Sequence, residues 1–252
     1  MECDFTGKAV LVTGSSRGIG RGIAEAFHAA GAHVAFNGRN ARAVDEAIKD
    51  RPRTLAASGD VTVPEFARQV VEQTVDGFGK LDVLVCSVGG GRSVPPGEET
   101  HEEWQRVFAL NLWSATNTIE AARVALTETC GSIVCVSSIC GLEVVPGAPV
   151  TYSAAKAALN AYVGGMARPL GRERIRVNAV APGNILFDGS VWARRLVDDP
   201  YAVETMLRDE TALGRLGTPD EVAEVTLFLA SEHARFTTGS VWTLDGGQSR
   251  TN

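Results

Sequence analysis

Apolar, β-rich runs alternate with stretches of helical periodicity along almost the whole chain, and few folds accept that rhythm. The runs are KAVLVT (8–13), HVAFN (33–37), RTLAAS (53–58), LDVLVCS (81–87), GSIVCVSS (131–138), RIRVNAVA (174–181) and SVWTLD (240–245). Helical patterning occupies 18–30, 41–50, 64–77, 101–126, 151–170 and 219–230. Several runs are apolar at consecutive positions, as expected of strands covered on both sheet faces. Right-handed βαβ crossovers between such strands predict an α/β fold: a doubly wound parallel sheet of about seven strands with helices on both faces. Length alone allows one large domain or two small ones, but no linker, repeat or low-complexity tract divides the 252 residues, so a single domain over 1–252 is expected.

Composition narrows the partners. The formal net charge is −6 and no basic run is long enough for a nucleic-acid footprint or a polybasic membrane patch. No segment approaches the ~20 apolar residues of a membrane span, and the N-terminus MECDFTGKAVLVTG lacks a signal-peptide pattern; a cytoplasmic protein is expected. The five cysteines, Cys3, Cys86, Cys130, Cys135 and Cys140, are odd in number and match no zinc spacing. Reduced thiols and no metal site are the expectation.

The stretch TGSSRGIG (13–20) lies between the first strand and the first helix. Glycines there permit a tight turn, a close backbone approach and close helix–sheet packing, and the helix N-terminus offers free N–H groups to a phosphate. Gly14, Ser16, Arg17, Gly18, Ile19 and Gly20 are therefore the candidate contacts of a dinucleotide's pyrophosphate, although G-x-x-x-G-x-G is not the commoner G-x-G-x-x-G spacing. An NAD site usually carries an acid near the end of the second strand. Here AFNGRN (35–40) has none, and Arg39 and Arg17 stand nearby instead. Two guanidiniums suit a 2′-phosphate, so NADP(H) is expected to be preferred, with NAD(H) a possible substitute. Arg42 reads as an exposed helix arginine.

In TYSAAKAAL (151–159) Tyr152 and Lys156 are four apart, on one face of a helix otherwise built from small residues. They are either an ordinary exposed pair or a device for tuning a phenol. Ser137 and Ser138 end the preceding strand, at the sheet edge where doubly wound folds bind ligands. Asn111 falls on an apolar stripe with Trp104, Phe108, Ala115, Ile119 and Ala122, where a buried amide needs partners. Residues 183–218 form a long connection carrying Phe187, Trp192, Leu196, Tyr201, Met206 and Leu207. That content fits a substrate lid, or a helical pair that simply packs.

The glycine turn, Tyr-x-x-x-Lys, the serine 14 residues before the tyrosine and the helical Asn together resemble the short-chain dehydrogenase/reductase family. The resemblance runs from KAVLVTGSSRGIG to TGSVWTLDGG (238–247) and is strongest for the 3-oxoacyl-carrier-protein reductase-like kind. It implies an NAD(P)-dependent oxidoreductase acting on a CH–OH/ketone group. Tyr152 would be the general acid/base, Lys156 would lower its pKa and hold the nicotinamide ribose, Ser138 would bind the substrate oxygen, and Asn111 would hold a water near the lysine. Asp60 and Val61 match the adenine contact, and Gly89 survives in CSVGGG (86–91), where Cys86 and Ser87 replace two family asparagines. Pro182, Gly183 and Ile185 match the nicotinamide end, but Phe187 stands where the family's threonine contacts the cofactor amide. The resemblance also implies a homotetramer.

The leading expectation is therefore hydride transfer between NADP(H) and a small-molecule carbonyl/alcohol pair. A cofactor-binding sensor, or a non-redox dehydratase or epimerase on the same fold, are the alternatives. Val88, Val145, Leu186 and Trp192 suggest an apolar or bulky ketone, while Arg194 and Arg195 could meet an acyl carrier but read as solvent-exposed.

Overall fold

The computed structural model describes residues 3–250. Seven parallel strands form one sheet in the order β3-β2-β1-β4-β5-β6-β7. They are β1 (Ala9–Thr13), β2 (His33–Phe36), β3 (Thr54–Ala56), β4 (Val83–Cys86), β5 (Ser132–Val136), β6 (Arg176–Pro182) and β7 (Val241–Leu244). Each lies inside a run expected from the sequence, except that β6 extends one residue further, to Pro182. The order reverses between β1 and β4, where Thr13 pairs with Cys86, so the ligand crevice of this topology opens at the carboxyl ends of those two strands.

Consecutive apolar residues feed two cores. Val10 and Val12 of β1, Val83 and Val85 of β4 and Val134 of β5 face one side, with Ile23 and Phe27 of α1 (Gly18–Ala29) and Val222 and Leu229 of α9 (Pro219–Ala230). Leu11, Leu84, Cys86, Ile133 and Cys135 face the other, with Val70 of α3 (Pro64–Phe78), Ile119 of α5 (Ser114–Thr129) and Leu159 of α6 (Val150–Arg172). Cys86 and Cys135 are register neighbours on the α6 side, and all five cysteines are free. No helix of the described residues is long and apolar enough to cross a membrane.

One element differs from the sequence expectation. The helix expected over 101–126 is α4 (His101–Phe108), a π-helical turn (Ala109–Trp113) and α5. Asn111 sits in that turn, and its Nδ2 donates to Val107 O at 3.0 Å, drawing a helical carbonyl onto a side chain. The connection 183–218 contains α7 (Val191–Asp198) and α8 (Pro200–Glu210). No α7 residue is buried, and only Val203 of α8 is, so the pair adds little to the core.

Candidate active site

The glycine turn places its backbone as the sequence suggests. Gly14 and Gly18 have φ of 66° and 61°, which L side chains rarely adopt. A Cβ on Gly20 would lie 2.5 Å from Gly14 O, so only glycine lets α1 approach the turn this closely. The first turn of α1 has neither a side-chain cap nor an acid, whereas Asn40, Thr100 and Thr218 cap α2 (Ala41–Ile48), α4 and α9. An uncapped N-terminus with an exposed Arg17 beside it fits an anionic group.

Sequence reasoning missed what holds this turn. Asn37, just past β2, accepts from Gly14 N–H at 3.3 Å and donates to Ala57 O at 2.8 Å and Gly59 O at 3.1 Å. Its own N–H donates to buried Ser15 Oγ at 2.9 Å. One amide thus joins the turn to the ends of β2 and β3, at the position where an acid was sought. Arg39 and Asp60, both candidate cofactor contacts, face each other across 3.6 Å, and the Arg39 side chain is 73% exposed. Asp60 Oδ1 is occupied by Thr62 N–H and Oγ1. Val61 is buried in the core, so any contact it makes with a ligand comes from its backbone.

At the end of β5 the two serines part. Ser137 Oγ donates to Asn160 Oδ1 at 2.5 Å, and Asn160 Nδ2 donates to Gly141 O at 3.1 Å, tying the strand end to α6. Ser138 accepts from Cys140 N–H at 3.2 Å and lies beside Tyr152. Tyr152 and Lys156 do project together: Lys156 Nζ is 5.9 Å from the centre of the Tyr152 ring and donates to Val136 O at 2.8 Å. Gly89 lies against Lys156 and Asn111, since a Cβ there would come 3.1 Å from Lys156 Nζ and 2.9 Å from Asn111 Oδ1. Asn111 is buried, accepts from Gly90 N–H at 2.9 Å and donates to Gly90 O at 3.2 Å, so its amide holds the 89–91 loop.

Burial dominates the electrostatics of both groups. Burial pushes the Tyr152 phenol up to about 12, with the hydrogen bond from Ser138 opposing. Burial likewise pushes Lys156 down to about 8. The lysine's donor is directed at Val136 O, and burial disfavours its ammonium.

At the other end, Gly183 N–H donates to Leu244 O at 2.9 Å, fixing the chain as it leaves β6 at Pro182. Ile185 bridges to Gly217 through Asn184 O and Leu186 N–H, and neither bond uses its own N–H or C=O. The Phe187 ring lies over Gly18: a Cβ there would be 2.8 Å from Cε2. Val88 packs against Gly14. Trp192 instead stacks under Arg195, 4.9 Å from its guanidinium, and lines a cavity of about 270 Å³ between α7 and α8 with Met206 and Val203.

A glycine turn lies at a β1/β4 switch point, with Ser, Tyr and Lys gathered at the carboxyl ends of β4 and β5, and relatives of this architecture are nucleotide-dependent oxidoreductases. The Enoyl-(Acyl carrier protein) reductase family model matches residues 14–249. An uncharacterized oxidoreductase of Methylorubrum extorquens is 37% identical over 96% of this chain and 97% of its own. The 3-oxoacyl-[acyl-carrier-protein] reductase of Chlamydia muridarum is 36% identical over 99% and 100%. Among solved structures, L-sorbose reductase from Gluconobacter frateurii, complexed with NADPH and L-sorbose, superposes with a TM-score of 0.93 at 30% identity, covering all of both chains. A 7α-hydroxysteroid dehydrogenase complexed with NADH gives 0.89 at 29% identity, covering 98% of this chain and 97% of the other. The chain belongs to the short-chain dehydrogenase/reductase family and is an NAD(P)-dependent oxidoreductase of carbonyl/alcohol substrates.

Proposed function

We propose that the protein reduces a ketone, or oxidises the matching secondary alcohol, with NADP(H) preferred and Tyr152 as the general acid/base. The observation that carries this is the grouping of Tyr152, Lys156 and Ser138 beside the Gly89–Gly91 loop. When bound, the nicotinamide supplies or takes up the hydride. In reduction the Tyr152 O–H gives its proton to the substrate oxygen, and Ser138 Oγ–H donates a hydrogen bond to the same atom. Lys156 meets the negative charge left on the phenol. Gly14, Ser16, Arg17, Gly18, Ile19 and Gly20 would hold the pyrophosphate, and the free backbone groups of Ile185 the nicotinamide amide. Segment 183–218 is the substrate lid in this reading, and its weak burial suits a part that moves.

Arg39 is free to turn from its long, exposed contact with Asp60 toward a 2′-phosphate, and Arg17 is exposed beside it. A panel of ketones and alcohols followed by nicotinamide absorbance, with both cofactors, tests the whole reading. Turnover with NADP(H) is expected, and the Arg17→Ala/Arg39→Ala double variant should weaken NADP(H) binding about 10-fold or more and spare NAD(H). Binding without turnover on any carbonyl would replace the enzyme by a sensor, and product without absorbance change would replace it by a dehydratase or epimerase.

Phe187 adds a second test. Its ring covers the backbone a pyrophosphate needs to approach, so cofactor entry requires the half-buried ring to move. Phe187→Ala should tighten NADP(H) binding roughly 5-fold, the equivalent of about 1 kcal/mol of lost apolar contact. Unchanged or weaker binding in a fluorescence titration would show that the ring supports the cofactor instead.

By resemblance we also propose a homotetramer, built through α4, α5 and α6; Trp113 and Val124 are exposed on this side of the chain. Sedimentation mass is the check.

A further inference from the structure

A polar chain beside Tyr152 takes no part in the reading above. Ser93 Oγ lies 2.8 Å from Glu103 Oε1 and 2.6 Å from Thr151 Oγ1. Arg106 holds the same carboxylate in a fork, Nε to Oε2 and Nη2 to Oε1, each at 2.7 Å. Its Nη2 also donates to Arg92 O at 2.8 Å.

Charge fixes the direction of these bonds. Arg106 first, then Ser93, hold the Glu103 carboxyl down at about 2, so it is ionised and only accepts. Ser93 must therefore donate to Glu103, and Thr151 must donate to Ser93. Each hydroxyl then has one orientation. A chain ending on a charge is stronger than its neutral links alone.

The geometry ties this chain to both segments that flank Tyr152. Thr151 is fully buried, directly before Tyr152 in the first turn of α6. Gly91, two residues before Ser93, lies against the ring, since a Cβ there would be 3.8 Å from Tyr152 Cε1 and Cζ. The loop between is held at Gly90 by Asn111, at Arg92 by Arg106 and at Ser93 by Glu103. Ser93 thus hydrogen-bonds the loop that backs the ring to the helix start that carries it.

We propose that Ser93, acting with Thr151 and anchored by Glu103, is a positioning residue for Tyr152 that fixes the phenol's distance from the substrate oxygen. The proposal rests on the assignment of Tyr152 as acid/base. Without the link the α6 start and the 90–93 loop drift independently, and small misplacements of a reacting group cost rate rather than binding.

The test compares Ser93→Ala, Ser93→Thr, Thr151→Val and Thr151→Ser in the full-length protein with the best ketone from the panel. Ser93→Ala and Thr151→Val are expected to lower kcat about 10- to 100-fold, with KM and cofactor Kd within about twofold. The hydroxyl-keeping variants, Ser93→Thr and Thr151→Ser, should stay within about threefold of wild type. In the protein alone, Ser93→Ala should speed hydrogen exchange at residues 90–93 and 150–153 together. Wild-type kcat in Ser93→Ala overturns the proposal alone. So does a loss in Thr151→Ser equal to that in Thr151→Val, with kcat and KM moving together, because that marks a structural role only. Wild-type protein inactive on every carbonyl overturns both this proposal and the acid/base assignment.

Discussion

Tyr152→Phe should lower turnover about 10²- to 10⁴-fold while leaving cofactor affinity within about threefold. The substitution removes one O–H and keeps the ring that lies beside Gly91 and Lys156, so packing is nearly conserved. The position of the phenol's pKa adds a directional signature. At about 12, Tyr152 holds its proton throughout the neutral range. Reduction, which needs the acid form, should therefore be flat with pH through neutrality. Oxidation, which needs the phenolate, should climb as pH rises towards the phenol's pKa. Both directions should vanish together in the Phe variant. Pre-steady-state absorbance in each direction, for wild type and variant, checks the two statements. A variant that turns over like wild type would remove Tyr152 from the proton transfer.

The seven strands were legible because a parallel sheet covered on both faces needs apolar side chains at successive positions, and β1, β4 and β5 carry them without a break. The glycine turn was legible for a similar reason: its geometry excludes side chains, and Gly20 against Gly14 O shows how strictly. Tyr152 and Lys156 are related by helix period alone. Other features depend on contacts between distant segments. The π-turn around Asn111 adds a residue to a turn without disturbing the apolar stripe, so the pattern reads as one long helix. Asn37 works through three backbone groups beyond two other strand ends, none of which leaves a mark in the sequence. Ser93 and Thr151 are 58 residues apart. The expectation that Lys156 acidifies the phenol met a quantity that motif spacing does not carry, namely how deeply both groups are desolvated. Phe187 was noticed as a departure, but only the fold places its ring on Gly18.

Lys156→Met should abolish most turnover, by about 10²-fold or more, and at the same time make the protein alone more stable at pH 7. Lys156 is only 3% exposed, and its Nζ donates to Val136 O. Burial brings its pKa from 10.5 to about 8, so carrying the ammonium in the folded state costs about 3 kcal/mol. The sign follows from proton counts. Below pH 8 both folded and unfolded chains hold the proton, and the cost of burying the charge is felt in full. Between about 8 and 10.5 the unfolded chain holds the proton and the folded chain does not, so this group makes stability rise with pH across that window. Methionine fills a similar volume without the charge. It also leaves Val136 O without this donor, at a cost of about 1–2 kcal/mol. The net gain is therefore about 1–2 kcal/mol, or a Tm higher by about 2–8 °C at pH 7. The wild-type rise in stability between pH 8 and 10 should flatten in the variant. Thermal melts of both proteins at pH 7, 8, 9 and 10 decide it. A variant that melts below wild type at pH 7 would mean that the lysine stabilises the fold, and that its burial is not a cost accepted for chemistry.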